Sequence, residues 1–305
     1  MKFGLHLDHA RTGNPNTITS NWLESVLIAD AAGFDYVSVV DHLVPFPEFR
    51  PRDVPLLDPW QLLSAFAVQT KSITLLTLVS NGSIAHPSRL TKQAATLDLL
   101  SGGRMMLGLG AGGYEADEAA LGIDRRSQSE RYARLQECSD VVTELWTGNE
   151  VSVKGEYFNL GAYTSSPTPS DGPKILIAGK SKAILRLAAN KASACNFAFP
   201  DTGALEALIK DLQPFLNDAG KNLSDFEVTL LDRVFIGPSD AKANEAWQAA
   251  GAPVVNGHPG LIGGVAKLVR DIEALEKIGA DTLFCMFQDL GSLKRFSEEV
   301  LPQFR

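Results

Sequence analysis

Asp41 and His42 stand side by side at the end of a short apolar run, residues 36–40. An imidazole titrates near neutral pH, so His42 suits proton transfer, and the neighbouring carboxylate suits holding the ring or a ligand donor. The bland alternative makes Asp41 a loop cap and His42 a satisfied polar side chain. A second set, His6, Asp8 and His9, ends the first apolar run. By alternation His6 faces inward, and His6 and His9 are read as lining a polar substrate pocket. A metal site from His6, His9 and His42 is the weaker reading. Their H-x-x-H pair lacks the helical H-E-x-x-H context that would support it, and no metal is expected.

Residues 101–115 carry six glycines around one short strand. Glycine after a buried strand lets backbone approach a ligand closely, because no Cβ holds it off. Gly108, Gly110 and Gly112 imitate a dinucleotide fingerprint, but the spacing after the second glycine is wrong for G-x-G-x-x-G. No acid ends a following strand some twenty residues on, so a Rossmann reading fails. Further on, Gly179-Lys180-Ser181 joins a strand to a helix. Free amides, a lysine and a hydroxyl suit a phosphate, while an ordinary glycine turn with Ser181 as N-cap explains the same residues. Other features read as structure. Asn81-Gly82 marks a turn, His86 before Pro87 starts a helix, and Arg131, Arg134 and Glu137 form a solvated helix face. Trp60, Phe66 and Trp146 belong to a core or interface.

Positioning these groups requires a scaffold, and strand and helix signals alternate from end to end. Strands are expected over 3–7, 36–40, 73–79, 104–109, 174–178, 194–197, 226–235 and 282–287. Helices are expected over 20–32, from 59, and over 87–100, 126–146, 181–190, 202–216 and 265–278, with others opening at 239 and 290. About eight β-α units in one chain of 305 residues predict a TIM (β/α)8 barrel spanning residues 1–305. An insertion over about 148–173, after the fourth strand region, contains a hairpin. A doubly wound sheet is the alternative. In a barrel the site lies at the C-terminal ends of the strands. That places Asp41-His42, the exit from Gly110 and the turn at Gly179 on one face, and so favours a phosphorylated cofactor.

The net charge of −8, without a long block of one sign, argues against nucleic acid and anionic membranes as partners. No apolar run reaches the length of a spanning helix. The amino terminus reads as a strand and not as a signal peptide. Three widely spaced cysteines, Cys138, Cys195 and Cys285, point to a reducing cytoplasm and buried thiols.

The assembled motifs resemble the bacterial luciferase-like superfamily of flavin and deazaflavin oxidoreductases, in its F420-dependent branch. The matching text includes Gly33-Phe-Asp-Tyr-Val37, Asp41-His-Leu43, Ala95-Thr-Leu-Asp-Leu-Leu-Ser-Gly-Gly-Arg104, Gly108-Leu-Gly-Ala-Gly112, Lys154-Gly-Glu-Tyr157 and Ile175-Leu-Ile-Ala-Gly-Lys-Ser181. It is strong to about residue 196 and looser beyond. The resemblance implies a barrel, often dimeric, with a redox ring in its mouth: coenzyme F420, or FMN as the alternative. Asp41 and His42 would sit beside the ring. Thr77, Leu78 and Ser80 would back it around a non-proline cis peptide near Thr77-Leu78. Gly110, Gly112 and Tyr114 would approach the ribityl chain, and Gly179, Lys180 and Ser181 would hold the phosphate. Tyr114 stands where many deazaflavin enzymes carry asparagine, and Ala178-Gly179 where relatives carry Gly-Gly. Hydride transfer between F420 and a small organic substrate is the implied activity, with His42 as proton donor or acceptor. A monooxygenase using O2 and reduced FMN from a separate reductase, or a non-catalytic flavin-binding barrel, are the alternatives. Substrate contacts are expected from residues 45–55, 151–173 and 254–264.

Overall fold

Eight parallel strands close on themselves. In a computed structural model that describes residues 1–7, 18–46, 56–169 and 174–305, they are β1 (Lys2–Leu7), β2 (Tyr36–Val39), β3 (Thr74–Thr77), β4 (Met105–Gly110), β5 (Ile175–Ala178), β6 (Ala194–Ala198), β7 (Glu227–Ile236) and β8 (Thr282–Phe287). Each pairs with the next, and β8 returns to β1, giving the expected (β/α)8 barrel. Strands covered on both faces should read as continuous apolar runs. β4, Met-Met-Leu-Gly-Leu-Gly, is buried at every position.

The lumen is a packed core. Tyr36, Leu76, Leu78, Met106, Leu176 and Phe284 fill it from different strands. Gly4 makes room for one of them, since a Cβ there would lie 2.2 Å from the Phe284 ring. Gly108 lets β3 and β4 close up, because its Cβ would meet the Thr77 carbonyl at 1.9 Å. At the N-terminal end Glu227 accepts hydrogen bonds from the Tyr36 and Thr282 hydroxyls and seals the floor. Arg104, just before β4, ties that end to its neighbours by donating to the carbonyls of Ala67, Ile73 and Ser101 at 2.7–2.9 Å.

Several of the surrounding helices start on side-chain caps. Asp58 accepts from Gln61 N–H with Pro59 at the first helical position, Asp201 accepts from Ala204 N–H, and Asp289 from Ser292 N–H. Such caps contribute about 1 kcal/mol each and fix where each helix leaves its strand. The antiparallel hairpin Glu150–Lys154 with Asn159–Thr164 occupies the expected insertion.

Three local details differ from the sequence reading. The third strand is not continuous over 73–79. It ends at Thr77, the Leu78–Val79 peptide is cis, and Ser80–Asn81 resumes pairing with the end of β4. That cis bond lies one peptide beyond the expected Thr77-Leu78. A short helix, Glu115–Ala120, follows β4 before the long helix Gln128–Leu145. The glycine-rich stretch 257–264 contains a strand, Leu261–Gly263, paired with β7. Asp8, His9 and most of the 45–55 loop lie outside the described residues.

Candidate active site

Three adjoining compartments open at the C-terminal ends of the strands. The first, about 420 Å³, has an apolar floor of Leu78, Val79, Ala178 and Ala198. Its polar rim is Asp41, Asn81, Asn196 and the backbone from Gly110 to Gly113. The second, about 240 Å³, is lined by His6, Val40, Leu56, Phe199 and Met286 among others. The third, about 500 Å³, runs from Gly179 and Lys180 to Asp201 and Asn256. Ala198, at the end of β6, lines all three. His42, Phe46, Leu78 and Leu231 are common walls of the first two.

His42 therefore stands between two chambers, and its orientation is fixed. Its Nδ1 lies 2.6 Å from Asp117 Oδ2. Asp117 Oδ1 accepts the N–H groups of Leu43 and Val44, both at 2.9 Å. Burial opposes ionisation of Asp117, but these bonds and the His42 charge outweigh it and hold the carboxyl below its ordinary pKa. An ionised Asp117 accepts Nδ1–H and leaves His42 Nε2 for a group in the chamber. Ring contacts complete the clamp. Phe46 meets His42 at 4.6 Å and Tyr114 at 4.2 Å between centroids, and the Tyr114 hydroxyl donates to the Pro45 carbonyl at 3.0 Å.

Asp41 lies on the rim of the first compartment. Burial raises its pKa, and the Asp58 and Asp117 charges add to this, while the Ser80 hydroxyl and His42 pull the other way. A carboxyl poised in this way can donate or accept at the edge of a bound heterocycle. His6 faces the second compartment, with Nδ1 2.9 Å from the Ser38 hydroxyl.

The residues singled out from sequence divide accordingly. Asp41, Leu78, Gly110, Gly112 and Tyr114 line the first compartment, which His42 shares with the second; His6 lines the second, and Gly179 and Lys180 the third. Thr77 and Ser181 line none of the three. The Thr77 hydroxyl is spent across the β3–β4 ladder on Gly108, and Ser181 Oγ caps the helix Lys182–Lys191 through Ile184 N–H. Ser80 is buried beside Asp41, behind the compartment wall. His9 lies outside the described residues. No group of three or more candidate metal ligands occurs among the described residues.

Sequence reasoning missed Asp117, Asn196, Phe46 and the β7 residues that follow Leu231. Asp232 accepts from His258 Nε2 at 2.6 Å, and this bond raises the His258 pKa against its burial. Arg233 stacks on the Phe199 ring at 4.9 Å, and Phe199 has a φ of 54°. Asp117 was visible as an acid opening a helix, but an acid in a first turn reads as a partner of the helix dipole. Phe199 and Asn196 carry no local signal, because only closure of the barrel brings them to the mouth.

The family description "luciferase-like monooxygenase" matches residues 1–282. The F420-dependent glucose-6-phosphate dehydrogenase of Nakamurella multipartita is 32% identical over 217 residues, which is 69% of this chain and 62% of that protein. The enzyme of the same name from Beutenbergia cavernae is 30% identical over 235 residues, 75% of this chain and 68% of its own length. Among solved structures, an F420-dependent secondary alcohol dehydrogenase in complex with an F420–acetone adduct superposes with a TM-score of 0.85. It has 20% identity, over 100% of this chain and 99% of that one, a likeness of fold.

Proposed function

The chain belongs to the luciferase-like monooxygenase family, and on that premise we propose that it is a coenzyme F420-dependent oxidoreductase acting on a small organic substrate. The observation that carries the reading is the partition of the barrel mouth by His42. One chamber has an apolar floor and a polar rim suited to a heterocycle, and the other suits a substrate. Relatives named for F420 dependence support the choice of cofactor.

The residues present fit such a cofactor. Leu78, Val79 and Ala198 would lie against the ring, and Asp41, Asn81 and Asn196 would meet its polar edge. Lys180 and the amides at the start of the helix Lys182–Lys191 would meet the phosphate of the tail. When bound, the deazaflavin supplies or accepts a hydride. The protein's share is orientation, water exclusion and proton management. His42 Nε2 takes the proton of a substrate hydroxyl on oxidation and returns it on reduction. Asp117 holds the imidazole in the tautomer that permits this and stabilises the imidazolium that forms. Phe46 and Tyr114 pack edge-on against the imidazole and restrict its rotation.

The second reading is a monooxygenase fed with reduced FMN by a separate reductase, which the family description favours. The test is direct competition. F420 fluorescence quenching by the purified chain, undisturbed by equimolar reduced FMN, supports the first reading. Binding of reduced FMN alone refutes it.

A further inference from the structure

Among the described residues, two that are not glycine have a positive φ: Phe199 at 54° and Asn256 at 53°. Both line the third compartment. A bulky ring in the left-handed region is unusual. Such conformations persist only where the surroundings enforce them, and they gather at functional sites.

The enforcing contacts come from two adjacent residues of β7. Asp232 accepts the Nε2–H of His258 at 2.6 Å. His258 in turn closes a tight turn: its N–H donates to the Val255 carbonyl at 2.9 Å, and its carbonyl accepts the Val255 N–H at 3.0 Å. Asn256 and Gly257, with φ of 53° and 81°, take the two central positions, the pattern of a type I′ turn. Gly260 lets the returning chain lie close on β7, because a Cβ there would meet the Arg233 carbonyl at 2.9 Å. Arg233 itself stacks on the Phe199 ring at 4.9 Å. Asp232 and Arg233 are 2% and 5% exposed, so both wall segments are held from within the fold.

We propose that Asn256 binds an anionic oxygen of the cofactor tail, and that Asp232, His258 and Arg233 are positioning residues that hold Asn256 and Phe199 at the compartment wall. This rests on the assignment of the third compartment to the tail. The charged lining among the described residues is Lys180 and Asp201. Asp201 Oδ1 is engaged by Ala204 N–H at 2.7 Å as a helix cap. Asn256, exposed at the tip of the turn, adds two neutral N–H donors to the charge of Lys180. A tip already fixed through His258 loses little freedom when the tail arrives, and that preorganisation is returned as affinity.

The test compares F420 with its phosphate-free ribityl deazaflavin, FO, by fluorescence titration of the whole chain. The variants are Asn256→Asp, which keeps the turn and adds a charge, His258→Ala, and His258→Gln, which retains a donor to Asp232. Asn256→Asp and His258→Ala should each weaken F420 by about tenfold and leave FO within about twofold, while His258→Gln should stay within about threefold of wild type. In hydrogen exchange of the free chain, the Val255 and His258 amides should exchange faster in His258→Ala and at wild-type rates in His258→Gln. Equal F420 affinity in wild type and Asn256→Asp, equal losses for F420 and FO, or unchanged exchange in His258→Ala overturns the inference. Asn256→Asp decides the matter alone if His258→Ala does not fold, because it leaves the Asp232–His258 pair intact. If the wild type binds FMN and not F420, the cofactor reading fails, and the same comparison between FMN and riboflavin decides the inference. A loss confined to FMN sustains it, and equal losses overturn it. Binding of neither cofactor overturns both.

Discussion

Replacing Asp117 with asparagine changes one atom and should silence His42. The variant keeps Oδ1, so the 2.9 Å bonds from Leu43 and Val44 survive and the loop stays in place. It puts an NH2 donor where Oδ2 now stands 2.6 Å from His42 Nδ1. With a donor facing it, Nδ1 must become the acceptor, and the ring proton moves to Nε2. The atom that should accept the substrate proton is then already protonated. The side chain of Asp117 is 8% exposed, so water cannot easily take over the lost interaction. Loss of a general base through the wrong tautomer costs about 10²–10⁴-fold in kcat, or about 3–5 kcal/mol in the barrier. The Kd for F420 should stay within about threefold, because the backbone of the rim is undisturbed. Stopped-flow measurement of F420 reduction by any alcohol the wild type oxidises reads the first quantity, and fluorescence titration reads the second. Nitrogen-15 spectra of the imidazole read the tautomer without a substrate. A kcat within about threefold of wild type, or an Nε2–H tautomer in the wild type, would refute the reasoning.

Other consequences follow from the same geometry. Lys180→Ala should weaken F420 binding by about tenfold in a fluorescence titration and spare kcat at saturation, as expected for one exposed charge on a phosphate; an unchanged Kd would remove Lys180 from the tail site. His258 has a pKa raised above 6.5 by Asp232, so its pairing stabilises the fold fully below about pH 6.5 and the gain is lost as pH rises through the folded value. Thermal midpoints should therefore fall between about pH 6 and pH 9, and fall less steeply in His258→Gln; parallel curves would contradict the pairing. Arg104→Ala removes the donor to four carbonyls at the barrel floor, those of Ala67, Thr70, Ile73 and Ser101, and should cost about 2–4 kcal/mol in urea unfolding with F420 affinity intact. Loss of less than about 1 kcal/mol would show that water replaces it.

The barrel was legible because a covered parallel sheet writes itself as apolar runs separated by amphipathic helices. Asp41, His42, His6, Gly110 and Gly179 line the compartments at the mouth, since a strand's last residues reach it wherever the barrel closes. Thr77 and Ser181 line none of these compartments, and their hydroxyls take nearer backbone partners. Which neighbour a hydroxyl chooses is settled by packing between strands and not by position in the chain. Asp117 and Phe46 escaped for a related reason. Each meets His42 only after the loop following β2 folds against the helix Glu115–Ala120. Asn196 and Phe199 meet the ring compartment or its neighbours only once β6 has been placed between β5 and β7.

Titration of the purified chain with F420, followed by fluorescence in the absence of substrate, bears on the central assignment most directly. The account predicts saturable quenching with one ring bound per chain, weakened when Gly110 is changed to valine, because a side chain at Gly110 already collides with Val79 at 2.6 Å. No quenching at any accessible concentration, or identical quenching by both forms, would contradict a deazaflavin lying against Leu78 and Val79 in the barrel mouth.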